Sequence, residues 1–330
     1  MSQAELAKRA NRPEKTISEI ITGKTAITPE TALDFERVLG IPARFWNNLE
    51  RNYKETKARL ASEEALASQS KYLKAFPYGA MAKLGWVKET RSTSARVAEL
   101  LSFFGVCSLD RVGVRGAAFR VGQRDKASEC ALAAWLRKGE LDARQTRTKP
   151  YEAKEFANRL SEIRSLTRQR IESSQHQLCH LCAGAGVAVV FVPHLPGTYA
   201  NGATKWLTPV KALIQLSLRY KWDDVFWFSF FHEAGHILKH GKRAVFVEGK
   251  KTKKTQEERE ADRFAADLLI PPKDYQSFIR DTKFAGSRIE SFARRLGVAP
   301  SVVVGRLQHD GLVPPTHLNG LRSKLTWVTG

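Results

Sequence analysis

The stretch FFHEAGHILKH, from Phe230 to His240, contains the pattern that decides the fold and the chemistry of the second half of the chain. Large apolar residues lead into HEAGH, which favours a helix. On such a helix His232 and His236 lie four residues apart, so both imidazoles project from one face and can share one metal ion. Glu233 lies beside that ion but off the ligand axis, where it can take a proton from water at the metal.

A third ligand is expected from a second helix, QEEREADRFAADLLIPP. His240 is excluded as a ligand because eight residues along a helix correspond to about 12 Å of rise. Glu258 can complete a site of two His and one Glu that leaves one position open for water, the donor set of a catalytic Zn²⁺. Asp262 can accept a hydrogen bond from the second ring nitrogen of a ligand histidine. Glu260 is the less favoured ligand, and histidines without a metal beside a solvated charged helix face are the alternative.

The sequence around this motif predicts a small sheet. VAVVFV, at 187–192, has the composition of a buried strand, and GATKWL and KALIQLSL predict a strand pair joined by a turn at Pro209. We expect KALIQLSL to offer an edge on which an extended substrate could pair. Near the end, SFARRLGVAPSVVVGRLQHDG predicts a closing helical hairpin, with a second DNA-reading unit as the alternative.

The spacing of apolar residues in the first 24 positions predicts a helix, a short turn and a second helix. Ala7 fits beneath the crossing of the two helices, Pro13 separates them, and Ile17 and Ile20 hold the second helix in place. The outward positions expected to face the major groove are Glu14, Lys15, Ser18 and Glu19, and those expected near phosphates are Gln3, Thr16 and Lys24. An ordinary helical hairpin is the alternative to a DNA-reading pair.

The composition bounds the class of protein. A chain of 330 residues is longer than one typical core and suggests two domains. Lysine and arginine number 54 against 34 acidic residues, a formal charge of +20 that favours a polyanion such as nucleic acid, although a merely basic surface would give the same count. The sequence has no apolar run of membrane-spanning length and no apolar leader after Met1. With four cysteines that form no disulfide framework, this predicts a cytoplasmic protein without a membrane partner.

Two parts of the chain resemble known families. The segment SQAELAKRANRPEKTISEIITGKTAITPETALDFERVLGIPARFWNNLE resembles the HigA-type antidotes among the XRE-family helix-turn-helix regulators. The segments FWFSFFHEAGHILKHGK and EREADRFAADLLIP resemble the ImmA/IrrE-family metallopeptidases, and the region of AAWLRKGEL is similar to the connector of such fusions. One departure is that the HigA-type domain has a helix before the residues that match Ser2, so we expect that first helix to be missing.

The resemblance implies a fold and an organisation. It implies a mostly helical α+β protein with a helix-turn-helix domain at 1–60, a helical connector at 61–170 and a zincin-like metallopeptidase domain with a small sheet at 171–330. It also implies that His232, His236 and Glu258 bind zinc and that Glu233 is the general base.

The function that the resemblance implies is a regulator that binds an operator on double-stranded DNA, commonly as a homodimer. A toxin is a further expected partner, and in relatives the peptidase cleaves a repressor or an antitoxin. The alternative is an antitoxin or repressor without proteolytic activity, whose metal domain binds a partner or senses a signal.

Overall fold

The computed structural model describes residues 1–112, 126–217, 222–242, 246–249, 255–281 and 283–325. The chain divides into two compact units, Met1–Ser70 and Lys71–Gly330. The two units do not coincide with the three domains expected from the sequence, whose functional boundaries stay a prediction.

The N-terminal unit consists of four helices. They are α1 (Gln3–Arg9), α2 (Glu14–Ile21), α3 (Pro29–Leu39) and α4 (Ala43–Ser68). The hydroxyl of Ser2 accepts a hydrogen bond from the backbone N–H of Glu5 and so caps α1, and Thr28 caps α3 in the same way. Helix α3 ends at Gly40, whose φ of 70° is the left-handed conformation that terminates a helix. The small core of the unit is formed by Ala7, Ala10, Ile17 and Phe35.

Helix α4 is unusual in that none of its 26 residues is buried. It presents four large apolar side chains to solvent, Phe45, Leu49, Tyr53 and Leu60, which recur at intervals of four and seven residues. Residues at these intervals lie on one face of a helix. We call this set the apolar stripe of α4.

The C-terminal unit contains ten described α-helices and a four-stranded sheet. The helices are α5 (Tyr78–Lys83), α6 (Thr93–Phe104), α7 (Lys126–Gln145), α8 (Ala153–Leu166), α9 (Ile171–Gly184), α10 (Asp223–Lys239), α11 (Gln256–Leu269), α12 (Pro272–Ile279), α13 (Gly286–Leu296) and α14 (Pro300–His309). The strands are β1 (Val187–Phe191), β2 (Ala200–Thr208), β3 (Lys211–Leu216) and β4 (Phe246–Gly249). The prediction of a mostly helical α+β protein is therefore confirmed.

The order of the strands is β1-β3-β2-β4, in which β3 pairs parallel with β1 and antiparallel with β2, and β2 also pairs antiparallel with β4. The expectation that KALIQLSL offers an edge to a substrate is wrong, because this strand is β3 and both of its sides are already paired. Among the described strands the edges of the sheet are β1 and β4.

Helices pack on the sheet and close the unit. The indole N–H of Trp135 in α7 donates to the backbone oxygen of Val192 at 3.1 Å, so α7, which lies in the expected connector, packs beside β1. The helices α13 and α14 form the closing hairpin that the sequence predicts, and residues 302–304 of α14 are buried in the core. None of the helices in the described part of the chain has both the length and the apolar character that a membrane crossing requires.

Candidate metal centre

Helix α10 is the central element of the site, and 13 of its 17 residues are buried. Its first turn is anchored by two aspartates. Asp223 accepts a hydrogen bond of 2.7 Å from the hydroxyl of Ser301 in α14, and Asp224 forms a bidentate ion pair with Arg322 at 2.8 and 2.9 Å. Carboxylates at the first turn also interact favourably with the helix dipole. The helix that carries HEAGH therefore has a fixed position in the core.

His232 and His236 turn their Nε2 atoms toward each other on this helix, 3.0 Å apart. Glu258, on the first turn of α11, reaches the same place: its two carboxylate oxygens lie 3.3 Å from Nε2 of His232 and 3.5 Å from Nε2 of His236. Thr255 caps α11 by accepting a hydrogen bond from the backbone N–H of Glu258. The structure thus brings together the three residues that the sequence analysis chose as ligands.

The three side chains suit a zinc ion. Four-coordinate zinc with bonds of about 2.0–2.1 Å keeps neighbouring ligand atoms about 3.3 Å apart, close to the observed spacings. One ligand atom from each of His232, His236 and Glu258 lies within 4.8 Å of the other two. Two imidazoles and one carboxylate also leave one coordination position for water or substrate, as in catalytic rather than structural zinc sites.

The protonation of these groups favours metal binding as well. Burial lowers the pKa of His236, so its ring is neutral at neutral pH. Burial raises the pKa of Glu258, but hydrogen bonds and charge interactions with His232 and His236 outweigh it and lower the pKa to about 2. A neutral imidazole and an ionised carboxylate are the forms in which these side chains bind a metal.

Asp262 lies one turn beyond Glu258 on α11, and its Oδ1 is 3.0 Å from Nδ1 of His232. The carboxylate accepts the N–H at this nitrogen, which leaves the lone pair of Nε2 directed toward the other two ligands. The position of Asp262 is therefore the one that the sequence analysis expected of it.

Glu233 is fully buried, and its carboxylate lies against strand β2. The hydroxyl of Thr204 donates a 2.5 Å hydrogen bond to Oε2 of Glu233. At Gly202 a Cβ atom would lie only 2.7 Å from Oε1, so any larger residue there would displace the carboxylate. Neither Gly202 nor Thr204 belongs to a motif that predicts a role at the site. The signal that could have found them is the alternation in β2, which places residues 202 and 204 on one face of the strand.

Gly235 allows α10 and α11 to approach each other. A Cβ atom at this position would lie 3.0 Å from the ring of Phe264 and 3.3 Å from the Cα of Ala261, both on α11. Since Glu258 is on the same helix as Ala261, this close approach brings the carboxylate within reach of the two histidines.

A cavity of about 570 Å³ lies between α10, α11 and α14, next to the metal centre. Three of the carboxylates in its wall already have partners: Asp224 pairs with Arg322, Asp262 with His232, and Asp310 with Arg306. Most of the remaining lining is apolar, including Phe228 and Val302. The wall of the cavity therefore combines an apolar lining with the charged side chains of Arg263 and Asp267.

The expected DNA-contacting residues all lie on α1, α2 and the turn after α2. Gln3, Glu14, Lys15 and Lys24 are exposed, and Thr16, Ser18 and Glu19 are half-buried. Glu19 already has a partner, because its carboxylate accepts a 2.9 Å hydrogen bond from the hydroxyl of Thr25. All seven side chains stay candidates for contacts with DNA.

Comparison with known families agrees with this division of the chain. Residues 1–46 match the family model described as helix-turn-helix, which covers α1 to α3 and the start of α4. Residues 218–308 match the model of a peptidase family described as IrrE N-terminal-like domain, and this range includes the two histidines, Glu233, Glu258 and Asp262. A search among curated proteins finds no match.

The chain thus carries a helix-turn-helix domain of the XRE type at its N-terminus and an IrrE/ImmA-like, metallopeptidase-like domain toward its C-terminus. The helix-turn-helix match is to the general family and does not distinguish a HigA-type antidote from other regulators.

Proposed function

We propose that this protein is a cytoplasmic DNA-binding transcription regulator whose C-terminal domain is a zinc-dependent endopeptidase that cleaves a repressor or an antitoxin. The observation that supports this most directly is the convergence of His232, His236 and Glu258 beside the buried carboxylate of Glu233. A helix-turn-helix domain in the same chain would place such a peptidase at a promoter, where the proteins that it removes would act.

The roles of the residues follow from their chemistry. Zinc, when bound, supplies a Lewis acid that polarises the scissile carbonyl and acidifies water. Glu233 takes the proton of the attacking water and later passes it to the leaving amine nitrogen. Thr204 holds one carboxylate oxygen of Glu233, so the base is oriented before a substrate binds. Asp262 keeps His232 in the tautomer that binds metal.

The N-terminal domain is proposed to read an operator on double-stranded DNA as a homodimer. The apolar stripe of α4 supports self-association, since exposed apolar side chains on one helix face commonly mark a protein interface. Binding of a toxin, which the resemblance to HigA-type antidotes implies, is proposed as a second use of the N-terminal unit.

The substitution Glu233→Gln tests the peptidase. It removes the base but keeps the size of the side chain and all three ligands, so the zinc content should stay the same while hydrolysis falls by about a hundredfold or more. Wild type and variant are each coexpressed with the products of neighbouring genes, and cleavage of these products is followed by intact-mass spectrometry. Glu290→Gln, an exposed position on α13, is the matched control.

Two outcomes would contradict the proposal. If zinc-loaded wild type cleaves none of the neighbouring products and regulation is unchanged in Glu233→Gln, the protein is a regulator without proteolysis whose metal domain binds a partner or senses a signal. If Glu258→Gln retains zinc as tightly as wild type, the ligand set is wrong.

A further inference from the structure

His240 lies just beyond the end of α10 and turns its ring back toward the metal centre. Its backbone is extended, with φ −115° and ψ 161°, while its backbone N–H still donates to the carbonyl of His236. The side chain is only 7% exposed. Its Nδ1 lies 2.9 Å from Nδ1 of His236, and its Nε2 lies 3.2 Å from a carboxylate oxygen of Glu260 on α11.

The direction of these hydrogen bonds is set by the metal centre. Nε2 of His236 faces His232 and Glu258, so it must keep its lone pair to act as a ligand. In a neutral imidazole the other nitrogen then carries the hydrogen, so Nδ1 of His236 donates and Nδ1 of His240 accepts. His240 consequently has its own hydrogen on Nε2, which donates to Glu260. A single arrangement of protons thus satisfies both hydrogen bonds, from His236 to His240 and from His240 to Glu260.

The two ligand histidines are held in comparable ways. His232 donates directly to the carboxylate of Asp262, whereas His236 reaches the carboxylate of Glu260 through one intervening imidazole. Partners of this kind orient a ligand ring, and their loss typically lowers metal affinity by about ten- to a hundredfold.

We propose that His240 is a positioning residue that holds the ligand His236 in its metal-binding tautomer and orientation, and that Glu260 orients His240. His240 approaches the Nδ1 side of the His236 ring and is not a member of the ligand group. The inference rests on the metal site of the proposed function, but it does not depend on peptide hydrolysis.

The zinc affinity of the full-length protein tests this inference. It is measured on metal-free protein by competition with a chromophoric chelator. His240→Ala should bind one zinc per chain about ten- to a hundredfold more weakly than wild type. His240→Gln should recover most of the affinity, because the amide oxygen can accept from His236 and the amide N–H can donate to Glu260. Glu260→Ala should lose affinity by a smaller factor. His176→Ala, an exposed histidine on α9, is the matched control and should not change it.

A spectroscopic signature separates positioning from a general structural role. The absorption spectrum of bound Co²⁺ should shift in His240→Ala and return toward that of wild type in His240→Gln. The inference is overturned if His240→Ala binds zinc within about twofold of wild type, or if His240→Gln loses as much affinity as His240→Ala. If His240→Ala fails to fold, Glu260→Ala and His240→Gln decide the question. The inference is then overturned if Glu260→Ala binds zinc as tightly as wild type and His240→Gln no longer binds zinc. A wild type that binds zinc but cleaves no protein would refute the peptidase and leave this inference standing.

Discussion

Helix α10, which carries two candidate metal ligands, and helix α4, which carries the apolar stripe, have opposite surroundings. Helix α10 is buried on nearly all sides: 13 of its residues are buried, among them both histidines and Glu233. Helix α4 is half as long again, has no buried residue and exposes its apolar stripe. The difference shows where each unit keeps its candidate functional groups: the C-terminal unit holds them in a closed core, while the N-terminal unit presents them at the surface.

This difference has an energetic meaning. Polar groups in a low-dielectric interior interact strongly but must each have a partner, so the α10 site comes with the hydrogen bonds of Thr204, Asp262 and His240. Exposed groups on α2 and α4 need no such support, and single contacts among them contribute little. The following predictions test this contrast, starting with the largest expected effect.

The largest effect is expected from truncating a buried ring of α10. Phe230 is fully buried, and Phe230→Ala should lower the free energy of unfolding of the C-terminal unit by about 3–5 kcal/mol. The same substitution at Phe45 of α4, which is 49% exposed, should change stability by less than about 0.5 kcal/mol. Urea denaturation followed by circular dichroism measures both. At a concentration at which the chain is monomeric, similar losses in the two variants would show that Phe45 packs within its own chain and would remove the contrast.

A smaller effect is expected at the hydroxyl that holds Glu233. Thr204→Val keeps the shape of the side chain and removes the hydrogen bond to the carboxylate. We expect kcat for a protein substrate to fall by about ten- to a hundredfold. This corresponds to the loss of a hydrogen bond to a charged group, which contributes about 1.5–3 kcal/mol. KM and zinc content should not change, and Thr204→Ser should restore kcat. A Val variant with unchanged kcat would show that Thr204 does not orient the base.

In the N-terminal unit, removal of one positive charge should have a smaller effect, measured as the affinity for DNA. Lys24 is exposed in the turn after α2. Lys24→Ala should weaken binding to all DNA sequences alike and reduce the slope of log affinity against log salt by about 0.9, the contribution of one phosphate contact. Fluorescence anisotropy over a range of salt concentrations measures the slope, with Lys283→Ala as the control from the other unit. An unchanged slope would place Lys24 outside the DNA-binding surface.

The smallest effect on folding is expected in the apolar stripe. Leu60 is 60% exposed, so Leu60→Ser should change the free energy of unfolding by less than about 0.5 kcal/mol. If the stripe joins two copies of the chain, the same substitution should lower the dimer fraction in analytical ultracentrifugation. A wild-type protein that is monomeric at every concentration tested would show that the stripe is not an interface between copies.

Local spacing explains what could be predicted from the sequence. His232 and His236, and likewise Glu258 and Asp262, are pairs four residues apart, and such pairs fall on one helix face whatever the rest of the fold does. The caps of α3, Thr28 and Gly40, follow equally local rules. The helices α1, α2, α10 and α11, the hairpin α13–α14 and the strand pair β2–β3 were predictable for the same reason.

Long-range pairing explains what was not predictable. Thr204 and Gly202 meet Glu233 across 29 and 31 positions of sequence, and it is the packing of α10 against β2 that brings them together. The central place of β3 likewise depends on its parallel pairing with β1. The spacing rule assumes that the helix continues to His240, but α10 ends at Lys239, and the contact of His240 with His236 depends on how the chain turns there.

Gly235 has a consequence for the spacing of the candidate metal ligands. Because Gly235 has no side chain, α10 lies directly against Phe264 and Ala261 of α11, and this close packing sets the distance between the histidines and Glu258. Flexible side chains can adjust it only slightly, since both histidines are buried and held at their second nitrogen. A methyl group at position 235 would lie 3.0 Å from the ring of Phe264 and 3.3 Å from the Cα of Ala261, so a neighbour on α11 would have to move by a few tenths of an ångström. The spacing of the three candidate ligands therefore depends on a residue that is not one of them.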